Sequence, residues 1–379
     1  MKLIHISDLH LGKRLNEYSL IEDQKYILNK ICEVIGDERA DCVLIAGDVY
    51  DKAVPSAEAV QLFDDFLTKL SKLKVQIFII SGNHDSPERL SFGAEIMEHS
   101  GIHISHVYDG VVEPVILSDE YGEVNIYMLP FVKPSHVRRF FPDEEIESYT
   151  DGVRVAVEKM GVKNDARNII VAHQFVTGAK TCESEEISVG GSDNVDAEVF
   201  KDFDYVALGH IHGPQRCGEE RIRYCGTPLK YSFSEANHKK SVTVVDLKEK
   251  GNVTLKTVPL KPLRDMKEIK GKYEELVAKD FYDGTDYATD YMHVTLTDEE
   301  DIPDVSAKLR AVYKNLMKVD YDNTRTRTES VINGAENIEN KSPFQLFAEL
   351  YQQQNGKDMS EEQATFLNGI IEKVWEGEV

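Results

Sequence analysis

A chain of 379 residues is too long for one ordinary core, and 41% hydrophobic with 29% charged residues excludes a disordered or fibrous polymer. No apolar run approaches the roughly 18 residues of a membrane helix, and the opening MKLIHISDLHLG puts Asp and His where a secretion signal needs apolar residues, so the expected location is cytoplasmic with no membrane partner. With 44 basic against 67 acidic residues, net −23, the chain shows no basic surface globally, so either its substrate is not nucleic acid or something other than Lys and Arg supplies the positive charge.

The elements follow one rhythm. KLIHIS is strand-like and leads into Asp8-Leu9-His10. Leu20, Ile21, Ile27, Ile31, Val34 and Ile35 predict a helix over 20–35. CVLIA leads into Gly47-Asp48-Val49-Tyr50-Asp51. Pro55 and a cap at Ser56 open a second helix over 56–73, with Val60, Phe63, Leu67 and Leu70 on one face. VQIFIIS then leads into Gly82-Asn83-His84-Asp85, NIIVA into His173, and YVAL into Gly209-His210-Ile211-His212. Strand–helix alternation predicts an α/β fold with a layered sheet. Ligands collect at the carboxyl ends of such strands, where all five motifs stand.

Taken singly, each motif is an ordinary polar turn or a core histidine. Taken together, they aim Asp8, His10, Asp48, Asn83, His173, His210 and His212 at one sheet edge. Seven donors are too many for one open metal site. If Asp48 bridges, four serve each of two ions: Asp8, His10, Asp48 and His212 for one, Asp48, Asn83, His173 and His210 for the other. Two divalent ions clamp a phosphate and activate a water. Imidazole mixed with carboxylate, without thiolate, suits Mn, Fe or Zn better than Mg or Ca. Such a site is net positive inside a net negative protein. The five cysteines are odd in number and have no CxxC spacing, which leaves them as idle thiols. Gly82 is read as a sharp turn. His84 is expected to face the phosphate, and Asp85 either orients His84 or caps the turn.

Residues 241–260 alternate around Lys250-Gly251-Asn252 and predict a hairpin at the edge of a catalytic domain spanning 1–260. Pro259 and Pro262 mark a boundary. Residues 263–330 form a small α+β unit, with a strand at YMHVTLT and a helix over 304–318 carrying Val305, Leu309, Val312, Leu316 and Met317. Residues 331–341 are a linker. Residues 342–379 form two short helices, one opened by Ser342-Pro343 and the other by the capping box at Ser360. Their apolar faces, Phe344, Phe347, Leu350 and Tyr351, then Phe366, Leu367, Ile370, Ile371, Val374 and Trp375, are expected to dock on a partner. Should the substrate be DNA, Lys13, Arg14, Arg89, Arg138, Arg139, Lys239 and Lys240 are the basic residues expected nearest it.

D-x-H, GD-x-x-D, GNHD, a lone His and GH-x-H in this order resemble the signature of the calcineurin-like metallophosphoesterases over residues 1 to about 240. HISDLHLGKRL (5–15), GDVYDKAVPS (47–56), GNHDSPERL (82–90) and GTPLKYSFSE (226–235) further resemble the SbcD-type nucleases of double-strand-break repair. The resemblance implies a four-layer α/β/β/α sandwich with a small capping domain and a C-terminal helical hairpin. It implies a Mn-dependent nuclease subunit in DNA repair, replication and recombination, an exonuclease on double-stranded ends and an endonuclease on single strands and hairpins. His84 matches the histidine that acts on the scissile phosphate or the leaving group. The family works as a homodimer with two copies of an SbcC-type coiled-coil ATPase near the nucleoid, and its chains bind that ATPase where 342–379 lie here. A stand-alone metallophosphatase or cyclic-nucleotide phosphodiesterase is the alternative enzyme reading, since one metal centre serves many substrates. A non-catalytic scaffold for the ATPase is a third.

Overall fold

The computed structural model describes residues 1–185, 193–324, 326, 342–355 and 358–376. Two six-stranded sheets form its centre. One runs, edge to edge, Val253–Pro259, Ser241–Leu247, Lys2–Ile6, Cys42–Ala46, Gln76–Ile80 and Ile102–Ile104. Its last four strands are parallel, and the 241–259 hairpin adds antiparallel to Lys2–Ile6 at the edge. The other runs Gln215–Cys217, Glu219–Tyr224, Tyr205–Gly209, Arg167–His173, Gly122–Leu129 and Val115–Asp119, with a parallel centre and antiparallel edges.

The period of two in each strand explains the layers. Ile4, Ile6, Val43, Ile45, Ile77 and Ile79 point outward, into a core shared with the helices Ile21–Glu38 and Ala57–Lys72. Leu3, Leu44, Phe78 and Ile80 point inward and meet Val124, Ile126, Ile169, Val171 and Ala207 of the second sheet. That sheet's outer residues, among them Ile170, Ala172, Val206 and Leu208, pack with Val153 and Ala156 of the helix Tyr149–Lys159. Strands buried on both faces read as continuous apolar runs, which is how they appear in the sequence. The predicted helix start at Ser56 is a true cap: its hydroxyl accepts from Ala59 N at 3.2 Å.

Beyond the hairpin, Met266–Gly271, Tyr291–Leu296 and Asn315–Tyr321 form a three-stranded parallel sheet over its own core of Ile269, Leu276, Met292, Val294, Leu296, Leu309, Tyr313 and Leu316. The predicted helix over 304–318 is shorter than expected. It covers only Val305–Arg310, and Leu316 and Met317 belong to the last strand. Their apolar spacing suits either state, and parallel pairing with Tyr291–Leu296 decides for the strand.

The C-terminal helices are Pro343–Asn355 and Glu361–Glu376, and they pack on each other. Both open on a reciprocal capping box. Gln345 N donates to Ser342 Oγ at 3.2 Å and Ser342 N to Gln345 Oε1 at 2.8 Å. Ser360 and Gln363 repeat the pattern at 3.2 and 3.0 Å. Phe347, Leu350, Phe366 and Ile370 are exposed, and Phe344, Tyr351, Leu367 and Ile371 are half-buried. The side chains of Val374 and Trp375, and the expected linker 331–341, lie outside the described residues.

Candidate metal centre

All five motifs emerge at one end of the two sheets and bond to one another. Asp8 N donates to Gly47 O at 3.0 Å, His10 N to Asp48 O at 2.9 Å, and Leu11 N to Val49 O at 2.9 Å. His210 N donates to Asp8 Oδ1 at 3.0 Å, which joins the second sheet to the first. The cost of this convergence shows in the backbone. Asp8, His10, Asp48 and His210 have φ of 52°, 43°, 47° and 100°. Non-glycine residues in such regions cost on the order of 1–3 kcal/mol each and persist only where the surroundings hold them.

The motif glycines are there for space. A Cβ on Gly82 would stand 2.1 Å from Asp48 Oδ1, and one on Gly209 would stand 1.8 Å from the Ala46 carbonyl oxygen. Gly82, expected to serve a sharp turn, is needed for close approach, and its φ is an ordinary one. Asp85 does neither job left open for it. Its carboxylate accepts from the amides of Gly82 at 2.9 Å, Val49 at 3.1 Å and Tyr50 at 2.9 Å, stapling the GNHD loop to the GDVYD loop.

The seven expected donors are brought together, with Asp8, His10, Asp48, His173, His210 and His212 buried and Asn83 half-buried. Asn83 Oδ1 lies 3.0 Å from His173 Nε2 and 2.9 Å from His210 Nδ1. His173 Nε2 is 3.3 Å from Asp48 Oδ2. On the other side, His10 Nε2 lies 3.2 Å from His212 Nε2 and 3.7 Å from Asp48 Oδ2. The donor atoms of Asp8, His10 and His212 fall within 4.8 Å of one another, as do those of Asp8, Asp48 and His173.

In their neutral forms these rings hold too few protons for all of these contacts. His173 Nδ1 faces the Ala46 carbonyl at 2.8 Å, and a carbonyl only accepts, so Nδ1 carries the hydrogen. In the neutral ring, Nε2 then aims a lone pair at two oxygens. His212 Nδ1 is 3.2 Å from Glu235 Oε1 and 2.9 Å from Ser184 Oγ; donation to the carboxylate leaves its Nε2 lone pair facing His10. A carboxylate behind a ligating imidazole is the usual support of a metal-binding histidine. These lone pairs and carboxylate oxygens converge in a buried space that could hold a cation.

Without a metal, protons take the cation's place: burial lowers His212, but Glu235 overrides it and raises the group. Burial pushes Asp8 up to about 6. Burial also opposes ionisation of Asp48, but His173, His10 and His84 together hold its carboxyl far below the usual range. Burial lowers His173, yet Asp48 overrides it and the group rises to about 9. Burial takes His10 well below its ordinary value and His210 down to about 3.

His84, its side chain 16% exposed, also brings a donor within 4.8 Å of those of His10 and Asp48. Its amide donates to Asp48 Oδ1 at 2.9 Å, and its ring meets His10 edge-on at 4.8 Å. Its Nδ1 faces the Asp51 carbonyl at 3.2 Å and so donates, which leaves Nε2 as the exchangeable position, 4.0 Å from Asp48 Oδ2.

The expected DNA contacts divide. Lys13 pairs with Asp51 at 2.7 Å beside the cluster, and Arg14, Arg89, Arg139 and Lys239 are exposed. Arg138 is half-buried and donates to Ile146 O at 3.2 and 2.9 Å. Lys240 is corrected outright: it is buried, paired with Glu235, and donates to Thr227 Oγ1 and His212 O. Glu235 was missed as a support residue although it closes the motif GTPLKYSFSE. Ser184 and Glu185, the latter accepting from His212 N at 2.8 Å, carry no signal in the sequence. Phe131 stacks on His210 at 6.4 Å and was also missed.

This fold and this cluster define a phosphoesterase class: the calcineurin-like phosphoesterase family matches residues 1–214, and the chain belongs to it. A second family, described as the type 5 capsule protein repressor C-terminal domain, matches residues 262–355. Within the class the chain belongs to the SbcD nuclease family: it is 37% identical over 321 residues to the SbcD component of the SbcCD nuclease of Staphylococcus epidermidis, covering 84% of each chain. A solved dimetal phosphatase from Danio rerio is similar at 12% identity and TM-score 0.40, over 68% of this chain and 98% of that one. A Thermus thermophilus structure is similar at 14% and 0.41, over 69% and 99%.

Proposed function

We propose that Asp8, His10, Asp48 and His212 hold one divalent cation, that Asp48, Asn83, His173 and His210 hold a second, and that the centre hydrolyses DNA phosphodiesters. The observation that carries this reading is the convergence of imidazole nitrogens and carboxylate oxygens on one buried space. When bound, two such ions polarise a phosphate and activate a water. The chain's own residues do the rest. Asp85 locks the two central loops, Glu235 fixes the His212 tautomer, and Gly82 and Gly209 let the loops approach. His84, with Nδ1 committed to a carbonyl, presents Nε2 to exchange a proton with the phosphate or the leaving oxygen. Manganese is the proposed native metal.

The substrate is DNA ends for exonucleolytic cutting, with single strands and hairpins cut endonucleolytically. A net charge of −23 gives weak intrinsic grip, so a coiled-coil ATPase of the SbcC type holds the DNA. The exposed faces around Phe347, Leu350, Phe366 and Ile370 support docking of 342–379 on that partner. A second copy is the proposed cover for Phe92 and Ile96, which are 83% and 79% exposed just past the GNHD loop, within a two-plus-two assembly. No helix among the described residues is long and apolar enough to cross a membrane, and the proposed location is the cytoplasm, at the nucleoid. Incubating the purified chain with manganese and linear duplex DNA tests the reading. DNA shortening supports it, and turnover of small phosphomonoesters alone would refute it.

A further inference from the structure

The small parallel-sheet unit meets the nuclease body at several places, among them Asn16 and Tyr18 on the carbonyls of Met317 and Leu316, and two of these contacts lie one step from different histidines of the cluster. The first is the start of the helix Ile21–Glu38. Arg264 donates to Asp23 Oδ2 at 2.7 Å and to Glu22 Oε2 at 2.5 Å, and the Tyr291 hydroxyl donates to the same Asp23 oxygen at 2.8 Å. Asp23 and Gln24 are each 1% exposed. Gln24, the next residue, turns to the D-x-H loop. Its Nε2 donates to His10 O at 2.7 Å and to the Tyr231 hydroxyl at 3.1 Å, and its Oε1 accepts from Gly12 N at 3.0 Å. The Tyr231 hydroxyl in turn donates to Leu9 O at 2.5 Å.

The second place is the short turn Phe233–Glu235. The Phe233 ring packs on His293 of the small sheet at 5.2 Å, and Lys230 pairs with Asp265 at 2.8 Å. Two residues on from Phe233, Glu235 holds His212 Nδ1.

We propose that the small unit holds the His10–His212 half of the centre in shape, through Asp23–Gln24 on one side and Phe233–Glu235 on the other, with Gln24 as the positioning residue for His10. The backbone gives the physical reason. Asp8 and His10 both sit in the left-handed region, where a non-glycine residue stays only if its neighbours hold it. Gln24 supplies that hold, with a bond to the His10 carbonyl and another to Gly12. A loosened Gln24 lets the loop relax, and the His10 ring swings from its place beside His212. Asn83 and His173 follow the strands Gln76–Ile80 and Arg167–His173, and the bonds of Gln24 go to the other half; His210 shares its loop with His212, and Asp48 is common to both halves. The seat of the small unit therefore acts on one ion more directly than on the other. A partner or a DNA end that shifts this unit would act on the His10–His212 ion first.

The inference rests on the two-cation reading. Manganese titrations of the full chain, by calorimetry and by electron paramagnetic resonance, test both separately. The wild type is expected to bind two ions. Gln24→Met is expected to weaken one of them about tenfold and leave the other unchanged, the scale of a lost support around a metal ligand. Arg264→Lys combined with Tyr291→Phe is expected to weaken the same ion several-fold, while the retained positive charge keeps the buried Asp23 carboxylate from being left without a cation. Should Gln24→Met not fold, this second variant decides alone. Two ions bound as in the wild type by every folded variant would overturn the inference and leave the metal centre standing, as would equal weakening of both. Fewer than two ions on the wild type would overturn the two-cation reading and this inference with it.

Discussion

His173 Nε2 lies 3.0 Å from Asn83 Oδ1 and 3.3 Å from Asp48 Oδ2, while its Nδ1 donates to the Ala46 carbonyl. The ring can satisfy those oxygens only as an imidazolium or by lending its lone pair to a cation. Without metal it takes the first course, and its pKa rises to about 9.

Metal binding at neutral pH therefore displaces a proton from His173. Calorimetry of manganese binding at pH 7.5, in buffers of different ionisation enthalpy, should show about one proton released per chain from this group. The sign for stability follows. A histidine raised above its ordinary 6.5 stabilises the fold fully below that pH and loses the contribution as pH climbs through 9. The metal-free protein should accordingly lose thermal stability between about pH 7 and 9. His173→Asn should remove this limb.

Close approach at Gly209 and Gly82 leaves no room for a methyl group. Gly209→Ala, whose Cβ would fall 1.8 Å from Ala46 O, should cost about 3 kcal/mol in denaturant unfolding and abolish tight metal binding. Gly161→Ala, where nothing lies within 4 Å but φ is positive, is the control and should cost about 1 kcal/mol, with the metal retained.

Asp85 satisfies three loop amides at once. Asp85→Ala should destabilise the fold by about 3 kcal/mol, because buried donors are left unpaired. Asp85→Asn keeps an acceptor for Val49 and Gly82 and should cost about half as much. Equal losses for both variants would show that charge, and not hydrogen bonding, is what Asp85 contributes.

These tests fall where sequence and structure part company. The convergence of these seven residues was legible because each follows a buried apolar strand and the strand ends of an α/β fold converge. The helices at Ile21–Glu38 and Ala57–Lys72 were legible from their spacing. Leu316 and Met317 misled because their spacing fits a helix as well as the strand that parallel pairing imposes. Lys240 misled because a lysine's charge reads as surface, and only the fold reveals Glu235 beside it. Ser184, Glu185 and Gln24 act through contacts with residues far along the chain, and no local pattern announces them.

The C-terminal helices carry the proposed partner contact. Deleting 342–379 should leave the manganese count unchanged and abolish co-purification with the ATPase. A complex that survives the deletion removes the docking role.

The most direct measurement pairs elemental analysis with DNA cleavage for His84→Ala. Its ring is the one histidine of the cluster placed outside the proposed ligand set, with Nδ1 on the Asp51 carbonyl and Nε2 as the proton-exchanging position. The variant should keep two manganese ions per chain while cleavage of linear duplex DNA falls about 100-fold or more, the scale of a lost general acid. Loss of an ion would make His84 a ligand, and cleavage at the wild-type rate would leave it without a role; either result contradicts the account.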